Sequence, residues 1–303
     1  MTTGRQAREP LLAIAWVVVL AASSLPRVLL QEVLHVEVGD AQRALVAASV
    51  IGLGLAATAV WARLRALVPF LILFGVLVGA EWLVFAVVDQ APAFRAWLAD
   101  PSFGTYMLAE QSLRLMVTGL VVAALVVLRG RPSRFFLAVG DPRAPMRAIR
   151  WLGVREGTRW SRFGPLAAAG LSAGTLVFLL AAGRPAPDLI GLALPILPAV
   201  LLAAALNAFN EEVTYKASLL SVLEGPVGPG QALWMVSAYF GIGHYYGVPY
   251  GLIGVAMAFA LGWLLGRSML ETRGLFWAWF IHFWQDVLIF SFLALGSVTP
   301  GGR

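Results

Sequence analysis

The chain contains no cysteine, and only 13% of its residues are charged. Without cysteine there are no disulfides, no thiol nucleophile and no thiolate metal site. A soluble globular domain carries about 25% charged residues, so an ordinary soluble domain is excluded as well. Histidine is scarce, at three residues, which leaves few places for imidazole chemistry. Lysine is scarcer still: of the 22 basic residues, Lys216 alone is not arginine. What is abundant is apolar surface, with 60% hydrophobic residues and a mean hydropathy of +0.82. These proportions describe an integral membrane protein. The formal net charge of +6 fits arginine-rich loops facing anionic lipid rather than a nucleic-acid surface. The expected partner is the lipid bilayer, with no nucleic acid.

A membrane-crossing helix needs roughly 17–25 predominantly apolar residues. The first ten residues are polar, with Arg5 and Arg8, and an apolar run Leu11 to Leu25 ends at Pro26. A signal peptide with small residues near Ala21–Ser24 is one reading; an uncleaved first span is preferred, because more spans follow. Further runs lie at about 44–62, 67–88, 106–128, 164–182, 189–223, 231–247, 250–267 and 275–295. The run 189–223 is too long for one span and is interrupted early by Pro195 and Pro198. The expected fold is therefore all-α: a polytopic transmembrane bundle of about eight to nine spans.

The loops set the orientation. Residues 129–163 hold nine arginines against two acids, Asp141 and Glu156, and the 63–65 connection adds Arg63 and Arg65. The connections 26–43 and 89–105 are acidic or balanced, with Glu32, Glu37, Asp40, Asp89 and Asp100. The positive-inside rule places the arginine-rich side in the cytoplasm, together with the N-terminus. The same stretch divides the chain into N-terminal spans (1–128), a cytoplasmic loop (129–163) and a C-terminal membrane domain (164–303). A cell membrane, the inner membrane of a bacterium, is the expected location.

Small residues at four-residue spacing, Gly170/Gly174 and Gly262/Gly266, read as close helix contacts. Glu81, Glu110 and Arg114 fall within spans, and Glu110 and Arg114 are spaced i,i+4 as a structural ion pair would be. His35 lies in a connection and receives no role.

Ionisable groups at membrane depth are costly and mark functional sites. Glu211 and Glu212 stand side by side in an apolar run. Glu212 and Lys216 share a helix face at i,i+4, whereas Glu211 is turned about 100° away. On these residues alone the acids either serve only an ion-pair network or leave Glu211 free as a base. Phe240 and His244 are also i,i+4, as are His282 and Asp286. At 1.5 Å per residue, Glu211 lies ~18 Å from the cytoplasmic end near Leu223, His244 ~20 Å from Gly230 and His282 ~13 Å from Arg273. The groups on three successive segments can therefore converge within the membrane.

Glu211-Glu212-Val213-Thr214-Tyr215-Lys216, Phe240-x-x-x-His244 and His282-x-x-x-Asp286 resemble the three motifs of the CPBP family. These are the CAAX prenyl proteases and bacteriocin-processing enzymes, also called the Abi family of glutamate intramembrane proteases. The resemblance covers about residues 165–295. It implies an intramembrane endopeptidase acting on a membrane-associated peptide or protein, without cofactor or metal. Glu211 would be the general base, with His244, activating a water. His282 and Asp286 would stabilise the oxyanion, and Glu212 with Lys216 would brace the site. A carboxylate withdrawn from water is a better proton acceptor, and donors placed where charge develops supply large catalytic terms. Two positions depart from the pattern. Lys216 stands where the family usually has Arg, and so lacks the bidentate fork. Asp286 stands where Asn is frequent, so it either carries a proton or orients His282.

Two other classes compete. Glu211, His244, His282 and Asp286 include a usable zinc set, although there is no H-E-x-x-H. A non-enzymatic scaffold, regulator or immunity protein could keep the same fold. A proton-coupled transporter also uses such clusters, but no inverted repeat is visible.

Overall fold

The computed structural model describes residues 9–100, 102–185, 191 and 193–301. The polar start with Arg5 and Arg8, and the first residues of the 189–223 run, lie outside the described residues. Among those described, no strand forms; two isolated bridges, Pro145 with Arg159 and Ile149 with Val154, pinch the arginine-rich loop. Helix is the expected outcome, because lipid offers no partner to a free backbone N–H or C=O.

The main helices are α1 (Glu9–Ala21), α2 (Asp40–Val60), α3 (Ala62–Val88), α4 (Phe103–Arg129), α5 (Trp160–Gly183), α6 (Leu194–Leu223), α7 (Pro229–Gly243), α8 (Leu252–Thr272) and α9 (Phe276–Ala294). Among the described residues seven are long and apolar enough to cross a bilayer. An eighth span results if α1 and Leu25–Val33, bent by 54° across the break at residues 22–24, count as one.

Two segments differ from the sequence reading. The run 189–223 was expected to break at Pro195 and Pro198, but Leu194–Leu223 is one 30-residue helix. Both prolines fall in its first turns, where the missing N–H leaves few intrahelical bonds unmade. The run 231–247, read as a span, becomes the 15-residue α7. At 1.5 Å per residue it is ~22 Å long, short of a ~30 Å hydrocarbon core. It ends at His244, where the chain turns through Gly247 and Gly251 (φ 80°) into α8.

Packing follows the small residues at one of the two expected places. A Cβ on Gly262 would lie 3.1 Å from the Phe240 ring, and one on Gly266 2.8 Å from Leu233, so α8 sits close against α7. Gly170 and Gly174 are exposed and meet nothing within 4 Å. Their spacing carries no helix contact here.

The arginine-rich stretch is latched onto the ends of α8 and α9. Asp141 N–H donates to Thr272 O, and Leu275 N–H to Ala138 O, both at 2.8 Å. Gly140 (φ 74°) lies so near Gly274 that a Cβ would stand 2.7 Å from its Cα. Glu271 accepts from the indole of the fully buried Trp160 (2.9 Å) and from Arg267 Nε (3.0 Å). Trp277 donates to Pro142 O at 3.0 Å. Phe135, Phe136 and Trp160 join one continuous apolar core with residues of α1, α3, α4, α6, α8 and α9.

Candidate active site

Four helices bring the polar residues of the spans together. Around Glu212–Ala217 helix α6 widens to a π turn, with Ser218 N–H bonding Val213 O. Such local widenings occur frequently at functional sites. The two acids at its start face different ways. Glu212 is wholly buried, and its Oε1 accepts from Lys216 Nζ at 2.7 Å and from His282 Nδ1 at 2.6 Å. Lys216, equally buried, places Nζ 3.2 Å from the centroid of the Phe240 ring. A ring face is an apolar support that a cation can lie against. This gives Phe240 a purpose: it carries the lysine on one face and meets His244 with ring centroids 4.3 Å apart.

Glu211 turns into a cavity of about 700 Å³ lined by α4, α5, α6, α7, α8 and α9. Its Oε2 is buried and has no hydrogen-bond partner within the protein. His244 Nε2 lies 3.8 Å from that oxygen and His282 Nε2 3.7 Å. The opposite ring nitrogens decide the protonation pattern. His244 Nδ1 faces the Phe240 carbonyl at 2.8 Å, which only accepts, so Nδ1 carries the hydrogen and Nε2 of the neutral ring is an acceptor. His282 Nδ1 likewise donates to Glu212, so its Nε2 donates only when the ring is an imidazolium.

Asp286 Oδ1 is 3.5 Å from His282 Nε2, while Oδ2 accepts from Asn207 Nδ2 at 3.0 Å. Asn207 belongs to a chain of buried amides. Thr118 Oγ1 donates to Asn210 Oδ1 (3.0 Å), Asn210 Nδ2 to Gln111 Oε1 (3.2 Å), Gln111 Nε2 to Asn207 Oδ1 (3.1 Å), and Asn207 to Asp286. Every link runs in the same direction, from α4 and α6 toward Asp286.

The sequence reading brought Glu211, Glu212, Lys216, Phe240, His244, His282 and Asp286 to one place, and the structure assembles all seven. It missed the contribution of α4. Arg114 does pair with Glu110, at 3.0 Å, but its Nη1 also lies 3.7 Å from Glu211 Oε1. Gln111, one turn earlier, feeds the amide chain. Both are polar residues on one face of an apolar span, which was the available signal. Glu81, also singled out, accepts from the Tyr215 hydroxyl at 2.8 Å, just behind the acid pair. Among the described residues no three His, Asp or Glu side chains are arranged to hold a metal ion.

Residues 193–288 are similar to a known protease family. They match the family model described as type II CAAX prenyl endopeptidase Rce1-like, in agreement with the resemblance carried by the three motifs. The matched family is one of proteases, and the long apolar helices make this chain an integral membrane protein. The Rce1-like match begins with α6 and ends two residues beyond Asp286, so it contains all three motifs and none of α4. No curated protein matches the chain. No solved structure matches it either.

Proposed function

We propose that this protein is an intramembrane endopeptidase that hydrolyses a peptide bond with water activated by Glu211 and His244. The observation that carries this reading is the position of Glu211 Oε2, buried and without a protein partner between two imidazole nitrogens at 3.7 and 3.8 Å. Those distances exceed direct hydrogen bonds and suit a bridging oxygen. The attacking water gives its proton to Glu211, its oxygen bonds the scissile carbonyl carbon, and Glu211 returns the proton to the leaving amine. His244 Nε2 accepts the second water hydrogen and holds the attack geometry. The oxyanion is met by His282 Nε2–H in the imidazolium form and by the 286 side chain, in the sense of preorganised donors. Glu212, Lys216 and Phe240 fix His282 from behind. The chemistry needs no metal.

The catalytic membrane domain spans 164–303 and is completed by α4 from the N-terminal spans, with 129–163 as the cytoplasmic loop. The substrate is a membrane-associated peptide or protein, and the location is a bacterial inner membrane. The deciding experiment is peptide release by Glu211→Gln against wild type, with insertion and thermal midpoint measured in parallel. The variant is expected to fold, insert and lose turnover. Full activity in Glu211→Gln refutes the mechanism.

A further inference from the structure

The cavity is one-sided. On each helix that lines it, the lining stops at the site and continues toward one end of the bundle only. The deepest lining residues are Arg114 on α4, Leu171 on α5, Glu211 on α6, Phe240 on α7, Leu261 on α8 and His282 on α9. Beyond them, every further lining residue lies toward the ends that carry Asp100, Pro249 and Thr299. None lies toward Arg129, Trp160, Leu223, Thr272 or Phe276. That second end is closed by protein. Glu212, Lys216, Ala278 and Ile281 are fully buried there, and below them Phe135 and Phe136 of the latched loop and Trp160 at the start of α5 complete the plug.

The closed end is also the arginine-rich end. It holds the nine arginines of 129–163 together with Arg63, Arg65, Arg267 and Arg273. The open end holds Glu32, Asp40, Asp89 and Asp100 among a few arginines. Hydrogen bonds from the Ser102 hydroxyl and backbone keep Asp100 at this rim below the usual carboxylate range. The positive-inside rule counts arginines in short loops near span ends, and here that count points one way.

We infer that the site is reached from the extracytoplasmic face, so that its substrates are peptide segments presented at the outer side of the membrane. This rests on the proteolytic reading for the nature of the substrate and on the cavity and the arginine distribution for its side. A cytoplasmic peptide would have to pass the buried Glu212–Lys216–His282 cluster and the latched loop to reach Glu211.

The cysteine-free chain makes the test direct. Thr299→Cys at the rim, Ile289→Cys inside the cavity and Ser133→Cys in the loop are expressed singly, and intact cells receive a membrane-impermeant methanethiosulfonate. Thr299→Cys and Ile289→Cys are expected to react from outside, and Ser133→Cys only after permeabilisation. In detergent, the same modification of Ile289→Cys is expected to lower release from a quenched fluorogenic peptide at least tenfold relative to the untreated variant. Modification of Ser133→Cys in intact cells, or of Ile289→Cys only in inside-out vesicles, overturns the sidedness. Absence of peptide release by the solubilised wild-type protein overturns the substrate class while leaving the labelling pattern intact, so the two failures are distinguishable.

Discussion

Replacing Lys216 with methionine removes the cation that neutralises a wholly buried carboxylate. In the native protein Lys216 Nζ gives a charge-assisted hydrogen bond of 2.7 Å to Glu212 and lies 3.2 Å from the Phe240 ring centroid. A hydrogen bond to a charged group contributes about 1.5–3 kcal/mol, and a desolvated cation–π contact about 2 kcal/mol. Losing one partner of a buried ion pair costs about 3–5 kcal/mol in total, most of it from the charge left behind. His282 Nδ1 still donates to Glu212 Oε1, which places the expectation toward the lower end. At a conservative ~2 °C per kcal/mol for a large chain, the lower end of about 3 kcal/mol lowers the midpoint by about 6 °C. Thermal unfolding in detergent, followed by tryptophan fluorescence at fixed scan rate, measures it. Replacing both partners removes both charges, so Glu212→Gln combined with Lys216→Met should recover most of the loss. A single variant within 2 °C of wild type, or a double variant less stable than the single, refutes the reasoning.

Asp286→Asn keeps an acceptor for Asn207 and offers an N–H to the oxyanion beside His282. If residue 286 serves by donating, turnover is retained and extends to higher pH, because an amide donor does not titrate; a large drop in kcat at unchanged thermal midpoint decides for an ionised Asp286 that orients His282. Asn207→Leu leaves Gln111 Nε2 and Asp286 Oδ2 without their partners, each an unmet buried group costing about 1–3 kcal/mol. Both midpoint and kcat should fall, and a variant with wild-type kcat would show that the amide chain does not position Asp286. Peptide release should survive dialysis against a strong chelator, and activity lost on chelation and restored by zinc would transfer the site to metal chemistry.

The charged members of the site were legible because charge is rare in an apolar run and costly at that depth. The i,i+4 spacing of Glu212 to Lys216 and of His282 to Asp286 places each pair on one helix face. Asn207, Asn210 and Gln111 were not legible in the same way. An amide in a membrane helix finds partners on any neighbour, and nothing local tells that Gln111 of α4 meets Asn207 of α6 across 96 positions of sequence. The Gly170/Gly174 and Gly262/Gly266 pairs make the same point, since identical spacing produces a contact only where another helix passes. Gly241, Gly243 and Gly247 mark the end of the short α7, a signal that apolar content alone, the basis for reading 231–247 as a span, does not register.

The burial of Lys216 has a practical consequence. The described fold presents no lysine amine to water, since the chain's one lysine has a relative exposure of zero. Amine-directed acylating reagents and cross-linkers therefore find no lysine on the native surface. Acylation at residue 216 requires the core between α6, α7 and α9 to open, so its rate reports the frequency of that opening event. A single mass-spectrometric peak would then follow breathing of the C-terminal half in its native membrane, without a label being introduced anywhere in the chain.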